Sequence, residues 1–253
     1  MKLSEKTQRS LCCPVCRSPL ESRGDLLRCD GPGAGCGTVF PLVDGLPILL
    51  NEGTSVFRIE DFVLHRELFF SLRPNRLKTT ALAALPRITR NLSAERNYRK
   101  LAGLLSPVSS ARVLVVGGSV MGEGMRTFAA NPALEIVHTD VSFGERTMLI
   151  CDAHDLPFMD GSFDAVVLQA VLEHVADPYR CLEEAHRVLK DSGFVYVEVP
   201  FMQQVHGAEY DFTRFTHLGL RRLCRRFTCS LSFFAPGLIN AVRYANGLNE
   251  EPG

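Results

Sequence analysis

Four cysteines near the start of the chain have a spacing suited to metal chemistry. Cys13 and Cys16 form a C-x-x-C knuckle, followed by Cys29 and Cys36. Thiolates in this arrangement suit tetrahedral zinc, with reduced thiols as the alternative. Further on, the stretch VVGGSVMGEG places Gly117, Gly118, Gly122 and Gly124 behind an apolar run. Such glycines let the backbone turn sharply and approach a ligand, although a tight strand-to-helix turn asks for the same residues. Asp140 follows about twenty residues later, where a carboxylate accepts hydrogen bonds from ribose hydroxyls. Asp152, in CDAHDLPF, offers a second carboxylate able to accept from an adenine amino group. The segment PFMQQVHGAEYDFTRFT carries His206, Asp211 and Arg214. An imidazole with an ordinary pKa of about 6.5 suits a base near neutrality, and a guanidinium fork suits a carboxylate or phosphate. A surface loop held by an Asp–Arg pair is the other reading of that segment.

These residues need a frame, and the apolar pattern predicts one. Residues 107–235 alternate strand-like and helix-like segments, the mark of a parallel α/β sheet. Strands are expected at 112–117, 135–140, 147–151, 163–169, 193–199 and 228–234, and helices at 123–130, 178–189 and 218–227. Asp177 before Pro178 reads as an N-cap followed by proline at the first helical position. In open α/β sheets ligands bind at the carboxyl ends of the strands, where the glycine loop, Asp140 and Asp152 all fall. Residues 1–52 are rich in Cys, Gly and Pro and form a separate small module in this reading. Residues 53–106 read mostly helical, a linker or lid broken by Pro74 and Pro86. Residues 107–253 are then the main domain. Its last stretch, APGLINAVRYANGLNEEPG, shows no obvious seventh strand, so a C-terminally shortened domain is expected.

The stretches VLVVGGSVMGEG, HTDVS, DAHDLPFMDGSFDAVVLQAVLEHVADP and RVLKDSGFVYVEVP resemble the class I S-adenosylmethionine-dependent methyltransferases, in the subgroup that includes small-molecule and glycan methyltransferases. The resemblance covers residues 113–200 and implies a Rossmann-like fold. It implies that Gly117 and Gly118 line the methionine side of the cofactor, that Asp140 binds the ribose, and that Asp152 with Ala153 contacts the adenine. Gln169 and Glu173 sit where the fourth strand opens toward the sulfonium. The family's first strand usually carries an acidic residue just before the glycines; Val115 and Val116 stand there instead. The loop with His206, Asp211 and Arg214 is similar to a stretch of glycan-cluster methyltransferases and is expected to bind or deprotonate the acceptor. The run CCPVCRSPL to FPLVDGLPILL resembles the zinc-ribbon-like domain that also serves as the activator subunit of several tRNA and protein methyltransferases. That likeness implies zinc on Cys13, Cys16, Cys29 and Cys36, with a glycine-rich insertion, DGPGAG, between the last two.

Composition limits the alternatives. Lys plus Arg and Asp plus Glu are 28 each, but residues 51–110 hold ten basic and five acidic residues, and 111–200 hold six and fourteen. An acidic main domain argues against a general nucleic-acid binder, which needs a basic face. The basic stretch is either a solvated helical face or a site for an anionic partner. No apolar run reaches the roughly 20 residues that span a bilayer, and no apolar leader opens the chain, so a cytoplasmic location is expected. The function expected is methyl transfer from S-adenosylmethionine to a small-molecule or sugar-linked acceptor. An RNA methyltransferase, or a non-catalytic protein keeping the fold, is the alternative.

Overall fold

The computed structural model describes residues 3–30, 36–66, 93–201, 205, 210–235 and 238–245. After a short helix α1 (Glu5–Arg9), four strands follow: β1 (Glu21–Arg23), β2 (Leu26–Arg28), β3 (Val39–Val43) and β4 (Leu46–Leu49). Helices α2 (Ile59–Val63) and α3 (Ala94–Leu105) lead into β5 (Ala111–Val116), α4 (Met125–Ala129), β6 (Leu134–Asp140), β7 (Leu149–Cys151) and β8 (Phe163–Gln169). Then come α5 (Pro178–Val188), β9 (Leu189–Pro200), α6 (His217–Leu223), β10 (Phe227–Ala235) and β11 (Leu238–Ala245).

The described strands bond in the order β1-β2-β3-β4-β7-β6-β5-β8-β9-β11-β10. From β7 to β9 all pairs are parallel. Strand order reverses at β5, which sits between β6 and β8, and this opens a crevice at the strands' carboxyl ends. β5 is buried at every position, as a central parallel strand should be. Asp177 caps α5 by accepting from Arg180 N, and the helix buries Cys181, Leu182, Ala185 and Val188 against the sheet. On the other face, Tyr98, Leu101 and Leu105 of α3 pack with Val113, Val115, Val167 and Tyr196.

Two expectations are corrected. The chain does have a seventh strand in this sheet: β11 runs antiparallel beside β9, pairing Leu238 with Pro200 and Tyr244 with Phe194, and β10 closes the hairpin. The turn signal is the Pro236–Gly237 pair of the sequence, just before an apolar run interrupted by Asn240 and Arg243. The cysteine-rich residues also do not have a core of their own. β4 pairs in parallel with β7, Ile48 with Ile150 and Leu49 with Cys151. Leu11, Cys13, Cys29 and Phe40 share one buried cluster with Leu114, Leu149, Phe158 and Leu168. In the expected helical region, 59–63 and 94–105 are helical, and residues 67–92 lie outside the described residues.

Candidate functional site

A cavity of about 460 Å³ opens at the crevice predicted from the strand ends. Its walls include Gly117, Gly122, Asp140, Asp152, Ala153 and Gln169. Gly117 has φ +70°, and a Cβ there would meet Val171 Cγ2 at 2.6 Å, so the turn after β5 requires glycine. A Cβ on Gly122 would lie 1.8 Å from Gln169 Oε1, so the loop and the end of β8 touch only because that side chain is missing. Gly118 does not line the cavity; its N–H donates to Thr139 O at 2.9 Å and holds the loop to β6. Val115 and Val116 add apolar wall where the family usually has an acid.

The two carboxylates are oriented from inside the chain. Asp140 Oδ2 accepts from Ser119 N at 2.9 Å and Oδ1 from Ser142 Oγ at 2.8 Å. Each oxygen keeps a further lone pair for a ligand. Asp152 Oδ1 accepts from His154 N at 3.0 Å and from His154 Nδ1 at 2.5 Å, while Oδ2 accepts from Ser55 Oγ at 2.6 Å. His154 Nε2 accepts from Asp177 N at 3.0 Å. The imidazole thus bridges the Asp152 carboxylate and the start of α5. Burial pushes the Asp152 carboxyl up, but the bonds from His154 and Ser55 outweigh it and hold the group below the ordinary carboxylate range.

Gln169 is engaged on both ends of its amide. Oε1 accepts from Tyr98 Oη at 2.8 Å, and Nε2 donates to Glu123 O at 2.9 Å and Glu198 Oε1 at 3.0 Å. It thus ties α3, the glycine loop and β9 together. Glu173 is fully buried, its carboxyl oxygens have no hydrogen-bond partner among the described residues, and His174 Nε2 is 3.9 Å away. Burial pushes its pKa up to about 7. Arg214 closes its fork on Asp211, with Nη2 at 2.8 Å from Oδ2 and Nη1 on Oδ1, so these two expected acceptor residues face each other. His206 lies outside the described residues. Sequence reasoning passed over the segment Thr54–Phe57, of which Thr54, Val56 and Phe57 reach the cavity, and over Arg180. Nothing in NEGTSVF marks it as part of a site.

At the far end of the sheet the four cysteines meet. The Sγ atoms of Cys13, Cys16, Cys29 and Cys36 lie within 4.8 Å of one another. Cys13 and Cys36 are 3.5 Å apart, Cys16 and Cys29 3.3 Å, and Cys16 and Cys36 3.6 Å. A tetrahedron with arms of about 2.3 Å has edges of about 3.8 Å, so a small adjustment admits zinc, and the set fits. The knuckle abuts the Asp152 loop. Cys12 N donates to Pro157 O at 3.0 Å, and Arg17 Nη1 donates to Leu156 O at 2.9 Å.

Residues 112–197 match the family model described as a methyltransferase domain. A demethylmenaquinone methyltransferase of Clavibacter sepedonicus is 33% identical over 123 residues, 45% of this chain and 44% of the relative. A malonyl-[acyl-carrier protein] O-methyltransferase of Geobacter sulfurreducens is 31% identical over 99 residues, 34% of this chain and 37% of the relative. The chain spans less than half the length of these curated relatives. Among solved structures, the CurJ carbon methyltransferase is similar in fold, with a TM-score of 0.51 at 12% identity, covering 70% of this chain and 62% of that one. No helix among the described residues is long and apolar enough to cross a membrane. The chain therefore has the Rossmann-like methyltransferase fold, with residues 112–197 matching that family's model.

Proposed function

We propose that this chain transfers a methyl group from S-adenosylmethionine to a small-molecule or sugar-linked acceptor. The observation that carries the reading is the cavity at the carboxyl edge of the sheet, where a glycine turn, two oriented carboxylates and apolar walls converge. Its size lies within the range of small-ligand sites, and its two carboxylate acceptors suit a nucleoside with a ribose diol. When bound, the cofactor supplies a methyl group already activated by the sulfonium. The chain's own part is to hold, orient and keep dry. Asp140 takes a ribose hydroxyl on its spare lone pairs, Asp152 and Ala153 take the adenine end, and Gly117 lets the methionine end approach the backbone. Gln169 fixes the loop over that end. In the same reading His206, Asp211 and Arg214 form the acceptor side, with His206 accepting a proton if the acceptor is a hydroxyl.

Residues 1–52 hold zinc on Cys13, Cys16, Cys29 and Cys36, residues 53–106 serve as a linker or lid, and 107–253 carry the methyl-transfer site. Zinc there fixes the knuckle as a structural ion with a closed thiolate shell. The relative named for demethylmenaquinone supports a small acceptor. The test is transfer of labelled methyl from the cofactor into fractionated cell extract. Label in a small-molecule or glycan fraction is expected; label in RNA overturns the acceptor class, and no transfer with no cofactor binding overturns the whole reading.

A further inference from the structure

We infer that the segment Thr54–Phe57, outside the family match, is the adenine-side wall of the cofactor cavity, with Ser55 the positioning residue for Asp152. The inference rests on the cofactor reading above. β4 ends at Leu49 beside Cys151, so the chain leaves the sheet at the edge where Asp152 stands. It then turns tightly. Gly53 N donates to Asn51 Oδ1 at 3.2 Å, and Ser55 N donates to Asn51 O at 2.8 Å. That turn brings Ser55 Oγ to 2.6 Å from Asp152 Oδ2, while the same oxygen accepts from Phe57 N at 3.1 Å.

The hydroxyl hydrogen is committed to Asp152 because Phe57 N takes a lone pair of Oγ. One oxygen of Asp152 is therefore fixed by Ser55 and the other by His154, which leaves one orientation for the free lone pairs. Beside this pair the segment contributes two apolar residues. Phe57 is buried and stacks on Tyr210 with ring centroids 5.5 Å apart and planes at 19°. Val56 lines the cavity while 58% exposed, a surface that a planar base would cover. Thr54, Asp177 and Arg180 also line the cavity, and among these groups Asp152 is the acceptor oriented from both sides, which favours a base that carries an amino group.

The test compares binding of S-adenosylhomocysteine and S-inosylhomocysteine, which has a carbonyl in place of the adenine amine, by calorimetry on the full chain. Ser55→Ala is expected to weaken the adenosyl compound about tenfold and the inosyl compound little, which lowers the preference between them, and Ser55→Thr is expected to restore it. Asp140→Ala is expected to weaken both alike. Val56→Asp tests the wall independently of Ser55 and is expected to weaken both about tenfold while the thermal transition is retained. If wild type binds and Asp140→Ala weakens it, but Ser55→Ala and Val56→Asp leave both affinities unchanged, the inference falls and the cofactor reading stands. Equal loss of both compounds in Ser55→Ala overturns the positioning role. Wild type that binds neither compound overturns the inference together with the reading beneath it.

Discussion

Asp155 ties Asn51 and Thr54 to Arg180 of α5, and its removal should be felt throughout. Its side chain is almost fully buried, and Oδ1 accepts from Arg180 Nη2 at 2.6 Å. Oδ2 accepts from Thr54 Oγ1 at 2.5 Å and Asn51 Nδ2 at 3.3 Å. Arg17 Nη2, at 3.5 Å, sits at the limit and adds little. The two neutral bonds contribute about 1 kcal/mol each. Arg180 is 38% exposed and keeps His154 O as a partner, so its bond is discounted to about 1 kcal/mol. Asp155→Ala should therefore cost about 3 kcal/mol, which for a chain of this size lowers Tm by roughly 6–12 °C. Asp155→Asn, which keeps one acceptor oxygen, should cost about half as much. The sequence has no tryptophan, so far-ultraviolet circular dichroism during thermal and urea unfolding is the assay, with hydrogen exchange at Leu49 and Cys151 as the local probe. One cooperative transition shifted by the stated amount is expected. A loss below about 0.5 kcal/mol, the range of an ordinary surface change, would refute the reasoning, as would two separate transitions.

Elemental analysis of protein purified without added metal should give one zinc per chain. Chelation or Cys13→Ser should lower the melting of the whole molecule, because Cys13 and Cys29 share their core with Leu114 and Leu168; an untouched main transition would count against that shared core. Asp140→Ala should weaken S-adenosylmethionine by about 1–3 kcal/mol, the usual cost of stranding buried polar partners, and unchanged titration calorimetry would reject the site. Two buried groups should oppose each other in pH dependence. Burial and Arg146 hold His138 down to about 4, so its contribution to stability is lost as pH falls from 6.5 toward 4. Glu173, pushed up to about 7, does the reverse and contributes stability as pH falls from 7 toward 4.5. Each amounts to roughly 3 kcal/mol, so His138→Asn should become more stable on acidification and Glu173→Gln should lose stability steeply; identical pH slopes in urea titrations of both would sink the assignment.

What the sequence reveals here follows how local the signal is. Phe163–Gln169 and Pro178–Val188 were legible because the apolar run Ala165–Leu168 and an Asp-Pro start are carried locally in the sequence. The strand-end carboxylates were legible for a related reason: in a parallel sheet, position along the strand fixes the edge on which a residue emerges. The β4–β7 pairing was not legible, because about a hundred residues separate Ile48 from Ile150 and no local pattern states a partner. Leu238–Ala245 was missed because Asn240 and Arg243 interrupt its apolar run, and pairing with β9 overrides that weak local signal. Ser55 was invisible for both reasons: a serine in a turn is ordinary, and only the distant pairing of β4 brings it to Asp152.

That pairing explains why one segment can serve both the sheet and the cavity. β7 is three residues long, and Leu149, Ile150 and Cys151 are all buried. Alone it would be an apolar edge open to any other strand. β4 covers it with four buried residues, and the antiparallel β3, β2 and β1 carry the sheet outward to Glu21–Arg23, which is exposed throughout and ends in charge. The new edge is short and polar, the usual guard against further pairing. The same strand sets where Asn51 to Phe57 emerge. Ile48 and Leu50 pack with Phe57, Phe62 and Ile150 in one buried cluster, which Ile150 joins to the main sheet. β4 is buried on both faces, Ile48 in this cluster and Leu49 in the main core, so a one-residue slip would exchange the two and break the packing of both. It would also move Ser55 about 3.3 Å along the strand direction, beyond reach of Asp152. Protection of the edge and placement of the hydroxyl are thus set by one register, and a substitution such as Ile48→Ala should disturb cofactor binding although Ile48 does not line the cavity.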